Sequence, residues 1–220
     1  MASFFNLQLD TTAPQGVTLK IEDGALYTAS ANVDLAIGCS DASKTGYTMK
    51  IWGIADAVQE EDAKWENFNA TKNVNLISGD GLKTVYVKIR DNVWNESTPA
   101  SATITLNTSI PSVTVVGPDT SIISKVAGKN ISTFNFTSDQ VFDEYKVGIV
   151  ESGSSLEGTV TVIPTTGGSV NTSGSAGDYP AYENVEVKIT GADLQTAAGS
   201  SDGTYIIKVF VKNKAGTWSK

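Results

Sequence analysis

Alternating apolar and polar residues divide the first half of the chain into short segments with the period of a β-strand. These segments cover residues 17–21, 32–39, 47–52, 73–77, 84–90 and 102–106. Because successive side chains of a strand point to opposite faces, this pattern indicates strands with one buried face. The clearest is TVYVKIR at 84–90, where Val85, Val87 and Ile89 are predicted to face a core.

The second half repeats this plan. Strand patterns cover residues 112–116, 131–136, 145–150, 159–163, 185–189 and 204–212. Turn sequences separate them, and a stretch rich in Gly, Ser, Thr and Asp at 165–181 predicts a flexible loop. A helical turn is predicted only at residues 60–64. Many short strands with turns between them are typical of an immunoglobulin-like β-sandwich.

Two stretches of similar pattern mark the boundaries between modules. Residues 7–14 read LQLDTTAP and residues 104–111 read ITLNTSIP, at an offset of 97 residues. Each combines an alternating strand with a proline, which cannot donate to a sheet and favours extended geometry before it. We therefore predict an all-β protein of two tandem immunoglobulin-like modules, 10–107 and 108–220, preceded by an N-terminal strand at 1–9.

A second internal match supports the duplication. At an offset of 122 residues, Gly81 lies on Gly203 and Ser97 on Ser219, and the core positions between them also match. Self-similarity of this kind marks repeated structural units.

The stretch DTTAP…SGDGLKTVYVKIRDNVWNES…ITLNT resembles the immunoglobulin-like repeats of bacterial surface proteins and phage virion proteins. Those repeats typically run DTTAP, a strand, then DGTKTVYVQFRDAAGNVS. The resemblance covers residues 10–111, and beyond them only SDGTYIIKVFVKNKAG carries it. Val93 and Trp94 stand where the repeats have Ala-Gly, whereas Ala215 and Gly216 keep that pair. The resemblance implies the fold, and a place in a virion or on a cell surface.

Composition narrows the classes of function. The net charge of −8 argues against nucleic acid or an anionic membrane as a partner. With no histidine in the chain, catalysis by Ser-His or Cys-His pairs and histidine metal sites are excluded. We expect no enzymatic activity, no cofactor and no membrane insertion. The single cysteine, Cys39, is predicted to be an inert thiol in the core of the first module.

Two groups of residues remain as candidates for binding. Asp10, Asp41 and Asp91 would either line a calcium site or cap turns. The tryptophans would either cover the ends of the sandwiches or contact a glycan or protein partner; Trp52 is predicted to point outward. The tryptophans are Trp52, Trp65, Trp94 and Trp218.

Three functions fit these observations. The first is a structural protein of a phage virion (tail, baseplate or capsid decoration), made in the host cytoplasm. The others are a bacterial adhesin fragment and an accessory carbohydrate-binding module. The start MASFFNLQLD has no cationic, signal-like segment, and we expect the virion role because adhesins require export. Other virion proteins, and a host-surface glycan, are the expected partners.

The two ends of the sequence predict how copies assemble. Ser97 precedes the closing strand of the first module, whereas the matching Ser219 is followed only by Lys220. Residues 3–9 match that closing strand, so we expect head-to-tail strand exchange between copies. Alternatively, residues 1–9 pair within their own module or dock on a different virion protein. The predicted donor residues are Phe4 (in a register shifted by one), Phe5, Leu7 and Leu9, and the acceptor residues are Ile207, Val209, Val211 and Trp218.

Overall fold

The structure, a computed structural model, describes residues 5–41, 43–150, 160–163, 177–199 and 202–220. The chain divides into two compact units, Met1–Asn107 and Thr108–Lys220. We call them unit 1 and unit 2. Both are built almost entirely of β-strands, so the predicted all-β, tandem immunoglobulin-like fold is confirmed.

Unit 1 is a sandwich of two sheets whose strands pair antiparallel, except for the parallel pair of β2 and β8. One sheet contains β1 (Thr18–Ile21), β3 (Asn32–Gly38) and β6 (Thr71–Asn75), with β3 in the centre. The other contains β2 (Tyr27–Thr28), β4 (Thr48–Trp52), β5 (Glu66–Asn67), β7 (Gly81–Arg90) and β8 (Ala100–Leu106), in the order β2-β8-β7-β4-β5. Single 3-10 turns lie at Glu22–Gly24 and Glu60–Asp62, the second within the predicted helical turn.

The core of unit 1 follows the alternation in the sequence. On β7, Val85, Val87 and Ile89 are fully buried, and Ile104 and Leu106 of β8 join them. β8 pairs with β7 along its length and also packs against β1. The closing strand therefore completes both a sheet and the core.

The described residues of unit 2 form two sheets as well, with fewer strands than unit 1. One sheet contains β9 (Val113–Val116), β10 (Ile131–Ser138) and β13 (Val185–Thr190), in the order β13-β10-β9. The other contains β11 (Phe142–Val150), β12 (Thr161–Val162) and β14 (Ile206–Asn213), in the order β12-β11-β14. A helix, α1 (Gly191–Ala198), connects β13 to β14.

The core of unit 2 is aromatic where that of unit 1 is aliphatic. Phe136, Phe142 and Tyr145 are all completely buried. The Phe136 and Tyr145 ring centroids lie 5.0 Å apart at a steep angle, and Tyr179 stacks on Phe142 at 4.7 Å. Offset-stacked and edge-to-face arrangements are those that aromatic pairs prefer. Unit 2 thus has a well-packed centre.

The same corner follows the long strand of each unit. In unit 1, Oδ1 of Asp91 accepts hydrogen bonds from the backbone N–H groups of Val93 and Asn95, both at 2.9 Å. In unit 2, Oδ1 of Asn213 accepts from the N–H groups of Ala215 and Thr217, at 3.1 and 2.9 Å. Asp91 and Asn213 are buried, and these bonds satisfy the Oδ1 atom of each.

A buried serine closes each corner in the same way. The Ile89 N–H donates to the Ser97 hydroxyl at 3.1 Å, and the Val211 N–H donates to the Ser219 hydroxyl at the same distance. The serine N–H groups return the bond to the Ile89 and Val211 carbonyls, both at 2.8 Å. The two segments related by the offset of 122 residues therefore share a local structure as well as a sequence pattern.

Two features of the structure could not be read from the sequence. Trp52 lies on the outer face, as its parity requires, but it is only 8% exposed because its ring stacks on Tyr86 at 5.3 Å. The helix α1 was not expected, although Thr190 caps it by accepting from the Asp193 N–H and Gly199 ends it in the left-handed conformation. Most of the predicted loop at 165–181 lies outside the described residues.

The corner of unit 1 predicts a graded effect of substitutions at Asp91. Asp91→Ala removes the carboxylate that accepts from the Val93 and Asn95 N–H groups, and a hydrogen bond to a charged group contributes about 1.5–3 kcal/mol. Asp91→Asn keeps the acceptor that Asn213 supplies in unit 2, so we expect a much smaller loss. Urea unfolding followed by tryptophan fluorescence at neutral pH measures both, and equal losses for the two variants would contradict the assignment.

The pH dependence of Asp91 gives a separate test. Burial favours the neutral acid, but hydrogen bonds from Asn95 and from the Val93 N–H outweigh it and lower the pKa of Asp91. A lowered pKa in the folded protein stabilises it above the usual aspartate pKa, and this stability is lost as the pH falls through the lowered value. We expect the advantage of the wild type over Asp91→Asn to shrink between pH 6 and pH 2.5 in unfolding experiments. An unchanged difference would contradict it.

Candidate functional site

The outer edge of β14 lacks the neighbour that its counterpart in unit 1 possesses. β7 pairs with β4 on one side and with β8 on the other. β14 pairs with β11 on one side, and no strand in the described part of the chain pairs with its other side. We call this side the open edge.

Burial along β14 decreases towards the open part of the edge. At equivalent positions in β7, Val85 and Val87 are 0% exposed. On β14, Val209 is 9% exposed and Ile207 is half-buried, whereas Val211 remains fully buried. The core of unit 2 is therefore closed at Val211 and less covered at Ile207.

The strand facing this gap shows the same loss of cover. In unit 1 the inward residues of β1, Leu19 and Ile21, are 8% and 1% exposed. In unit 2, Val115 of β9 pairs with the buried Phe136, yet it is 48% exposed. In unit 1, Ile104 and Leu106 of β8 occupy the corresponding space, and complete burial of such a side chain contributes about 1.5–3 kcal/mol.

One end of the edge is already occupied. The backbone of Val211 pairs with Ser219, and Lys212 forms a bridge with Trp218. Lys146 and Lys212 also lie over the Trp218 ring, at 4.6 and 5.8 Å. Of the predicted acceptor residues, Val211 and Trp218 thus hold the chain end in place, and Ile207 and Val209 form the open part.

The predicted donor segment carries large, exposed apolar side chains. Phe5, Leu7 and Leu9 are 86%, 88% and 85% exposed, and Phe4 lies outside the described residues. Residues 5–9 form no strand, contrary to the expectation of a strand there. A strand needs a partner edge for its backbone groups, and this segment pairs with no edge of the described chain. The segment is anchored only from Asp10, whose carbonyl accepts from the Asn95 side chain at 3.3 Å.

A second surface feature combines tryptophans and cations on unit 1. The Arg90 guanidinium lies 4.2 Å from the Trp65 ring and 5.0 Å from the Trp94 ring. Trp94 is 74% exposed and adopts a φ of 72°. This is the left-handed region that the equivalent Gly216 also occupies, with a φ of 87°. A left-handed conformation disfavours every residue except glycine, so Trp94 occupies a strained position with an accessible ring.

An ion cluster lies beside this feature. Oε1 of Glu60 contacts the ammonium groups of Lys50 and Lys88 at 2.7 and 2.6 Å. Hydrogen bonds from Lys50 and Lys88 lower the pKa of Glu60, and the bond to Glu60 raises the pKa of Lys88. The cluster holds the 3-10 turn at Glu60–Asp62 against the outer face of β4 and β7.

Each of the three aspartates considered for calcium accepts a hydrogen bond from a group of the chain. Oδ1 of Asp10 accepts from the Thr12 N–H, Asp91 holds its corner, and Oδ2 of Asp41 accepts from the Tyr47 hydroxyl at 3.1 Å. Within the residues that the structure describes, no three acidic, cysteine or histidine side chains are grouped to hold a metal ion.

Comparisons with known proteins concern the fold. No protein-family model matches the sequence, and no curated protein matches it. Among solved structures, the fibronectin(III)-like modules of Clostridium thermocellum CbhA match at 8% identity and a TM-score of 0.46, over 92% of this chain and 89% of theirs. Chicken CNTN1 FN1-FN3 domains match at 13% identity and a TM-score of 0.36, over 96% of this chain and 64% of theirs.

The sheet order and the strand pairing define the class of protein. The chain is a tandem of immunoglobulin-like β-sandwich units. None of the helices in its described part combines the length and apolarity that a membrane span requires.

Cys39 lies at the border of the core rather than within it. It is half-buried against the core of unit 1, and its thiol lies 3.4 Å from Oδ2 of Asp41. Burial, together with the hydrogen bond to the Asp41 carboxylate and its charge, raises the pKa of the thiol. Since the thiolate is the reactive form, we expect labelling of the native protein at pH 7.5 to be at least about tenfold slower than that of urea-unfolded protein. Equal rates would contradict this.

Trp94 is predicted to contribute little to stability. Its left-handed backbone costs about 1–2 kcal/mol, and an exposed cation–π contact returns about 0.5–1 kcal/mol. We therefore expect Trp94→Gly to match or exceed the wild type in urea unfolding. Trp65→Ala is the matched control and should destabilise the protein, because Trp65 is half-buried beneath both Arg90 and Lys50. A large loss of stability in Trp94→Gly would give Trp94 a structural role.

Proposed function

We propose that this chain is a non-enzymatic structural protein of a phage particle, a tail, baseplate or capsid-decoration component, which assembles through its immunoglobulin-like units. The observation that carries the proposal is the open edge of β14, in a unit that otherwise repeats unit 1. An uncovered edge with apolar side chains is a liability in a free monomer, because it pairs with other chains. In a subunit of an assembly, the same edge is the surface that pairs with another subunit.

The buried polar residues support a structural role. Asp91 and Asn213 hold backbone N–H groups of their corners, and Ser97 and Ser219 close them. Ser138 accepts from the N–H of Gln140 at 3.2 Å. Each of these buried side chains therefore serves a turn, which is a contribution to the fold rather than to chemistry.

The sequence resemblance is compatible with a virion role. Residues 10–111 follow the DTTAP-type repeats of virion and bacterial surface proteins. Strand pairing between subunits suits a particle that is put together inside the host cytoplasm. Other virion proteins are accordingly the proposed partners.

A second candidate rests on Trp94. Its accessible ring, supported from behind by Arg90, offers a flat stacking surface for a host-surface glycan. In that role the chain would be a surface adhesin fragment or an accessory carbohydrate-binding module.

Fractionation of a lysed culture of the host tests the proposal. We expect peptides of this chain to co-purify with intact particles at a fixed ratio to the major capsid protein. Cell envelope and culture supernatant, from the same host without particle production, are the controls. Recovery of the chain in the envelope fraction, and not in particles, would contradict the virion role and favour an adhesin.

A further inference from the structure

We propose that residues 5–9 of one copy form a strand beside residues 203–207 of a second copy, where they extend the open edge from the first residues of β14. This inference rests on the proposed function, since it names the partner in the assembly as another copy of the same chain. In the described part of the chain, no strand pairs with the edge and no core covers the segment. Each surface presents what the other lacks: a sheet edge without a neighbouring strand, and apolar side chains without a core.

The internal repeats fix the register of the new strand. In unit 1, Val85 pairs with Ala102 and Gly81 with Leu106. By the offset of 122 residues, Val85 corresponds to Ile207. By the offset of 97 residues, Ala102 corresponds to Phe5. Phe5 therefore lies opposite Ile207, and the strand runs antiparallel to β14.

The side chains of the segment match this register. Ile104 and Leu106 are 1% and 2% exposed in the core of unit 1, and Leu7 and Leu9 stand at their positions. Phe5, which is larger than the matching Ala102, has the half-exposed Val115 and Ile207 to cover. A shift by one residue would instead turn Phe4 inward together with the polar Asn6 and Gln8, so the register with Phe5, Leu7 and Leu9 inward is the one that the pattern selects.

The backbone of the open edge is suitably oriented. The N–H and C=O groups of Val211 point to this side, since both pair with Ser219. These groups alternate along a strand, so those of Ile207 and Val209 point the same way. In this register Phe5 pairs with Ile207, and Val209 lies between that pair and Val211, to which Ser219 is bound.

A designed disulfide tests both the contact and its register. The register places Asn6 opposite Ile206 on the outer face, in a non-hydrogen-bonded pair with Cα atoms about 4.5 Å apart, within the range of a disulfide. Both positions are exposed, so the cysteines should not disturb folding. The full chain carries Asn6→Cys and Ile206→Cys with Cys39→Ser, and Phe5→Cys with Ile206→Cys in the same background is the off-register control.

We expect mild oxidation of the first variant to give a ladder of covalent oligomers, and the control to remain mostly monomeric. Mixing copies labelled with ¹⁴N and ¹⁵N before oxidation shows by mass spectrometry whether each disulfide joins two chains. Monomers with an internal disulfide would mean that the segment returns to its own unit 2, and would overturn the proposal. Unlinked monomers at high protein concentration, or equal ladders in both variants, would overturn it too.

A second measurement does not depend on cysteines. Leu7→Asp with Leu9→Asp should abolish species larger than the monomer in analytical ultracentrifugation, whereas Gln8→Asp, on the outward side of the same segment, should leave them. An added peptide of residues 3–9 should compete with assembly of the wild type. Oligomers that survive the double substitution would refute the contact.

These results separate the inference from the proposed function. A chain that fails to cross-link but still co-purifies with particles would leave the virion role standing, with a different virion protein on the open edge. A chain that cross-links in the predicted register but is absent from particles would support the strand contact and contradict the virion role.

Discussion

The backbone hydrogen bonds of the closing strand are the constraint on which the rest of the structure depends. A sandwich buries its core only where both sheets extend over it, and a sheet extends only as far as its last paired strand. In unit 1, β8 supplies the N–H and C=O groups that β7 requires, and it carries Ile104 and Leu106 into the core. In unit 2 the core is closed at Val211 but less covered at Ile207 and Val115. Within the described residues, the open edge near Ile207 therefore lacks both the strand pairing and the apolar side chains that a closing strand supplies in unit 1.

The corner after β7 and β14 explains why unit 2 remains ordered up to that place. Asn213 and Ser219 satisfy the buried donors of the turn and of Val211 without help from a closing strand. Trp218, under the ammonium groups of Lys146 and Lys212, covers the outside of the same turn. The aromatic cluster around Phe136 and Tyr145 packs the interior. Local interactions thus fix the frame of the open edge.

Much of the fold could be predicted from the sequence because the period-two pattern directly reflects burial. Val85, Val87 and Ile89 are buried as their alternation requires. The pattern could not show that Trp52 is covered, since its partner Tyr86 comes from another strand. The helix α1 was not predicted because its apolar periodicity is weak over eight residues. Its only clear signals were Thr190 with Asp193 at one end and Gly199 at the other.

The candidate site was predictable to a different extent. The offset between Ser97 and Ser219 located the open edge, because it compares one unit with another rather than one residue with its neighbours. The pairing of Ser219 with Val211 could be seen only in the structure, and so could the left-handed backbone conformation of Trp94. The strand expected at residues 3–9 does not form in the described part of that segment, because strand structure belongs to a pair of segments and the sequence pattern describes only one of them.

The two repeat offsets also show where the two units differ in length. The junction recurs after 97 residues and the corner after 122, so unit 2 contains 25 more residues than unit 1 between these two landmarks. The corner has the same local structure in both units despite this difference, because Asn213 and Ser219 make the hydrogen bonds that Asp91 and Ser97 make in unit 1. The extra length lies before the corner in the sequence, and the open edge borders the corner. Length can therefore vary in the body of such a unit without displacing the turn that fixes its edge strand.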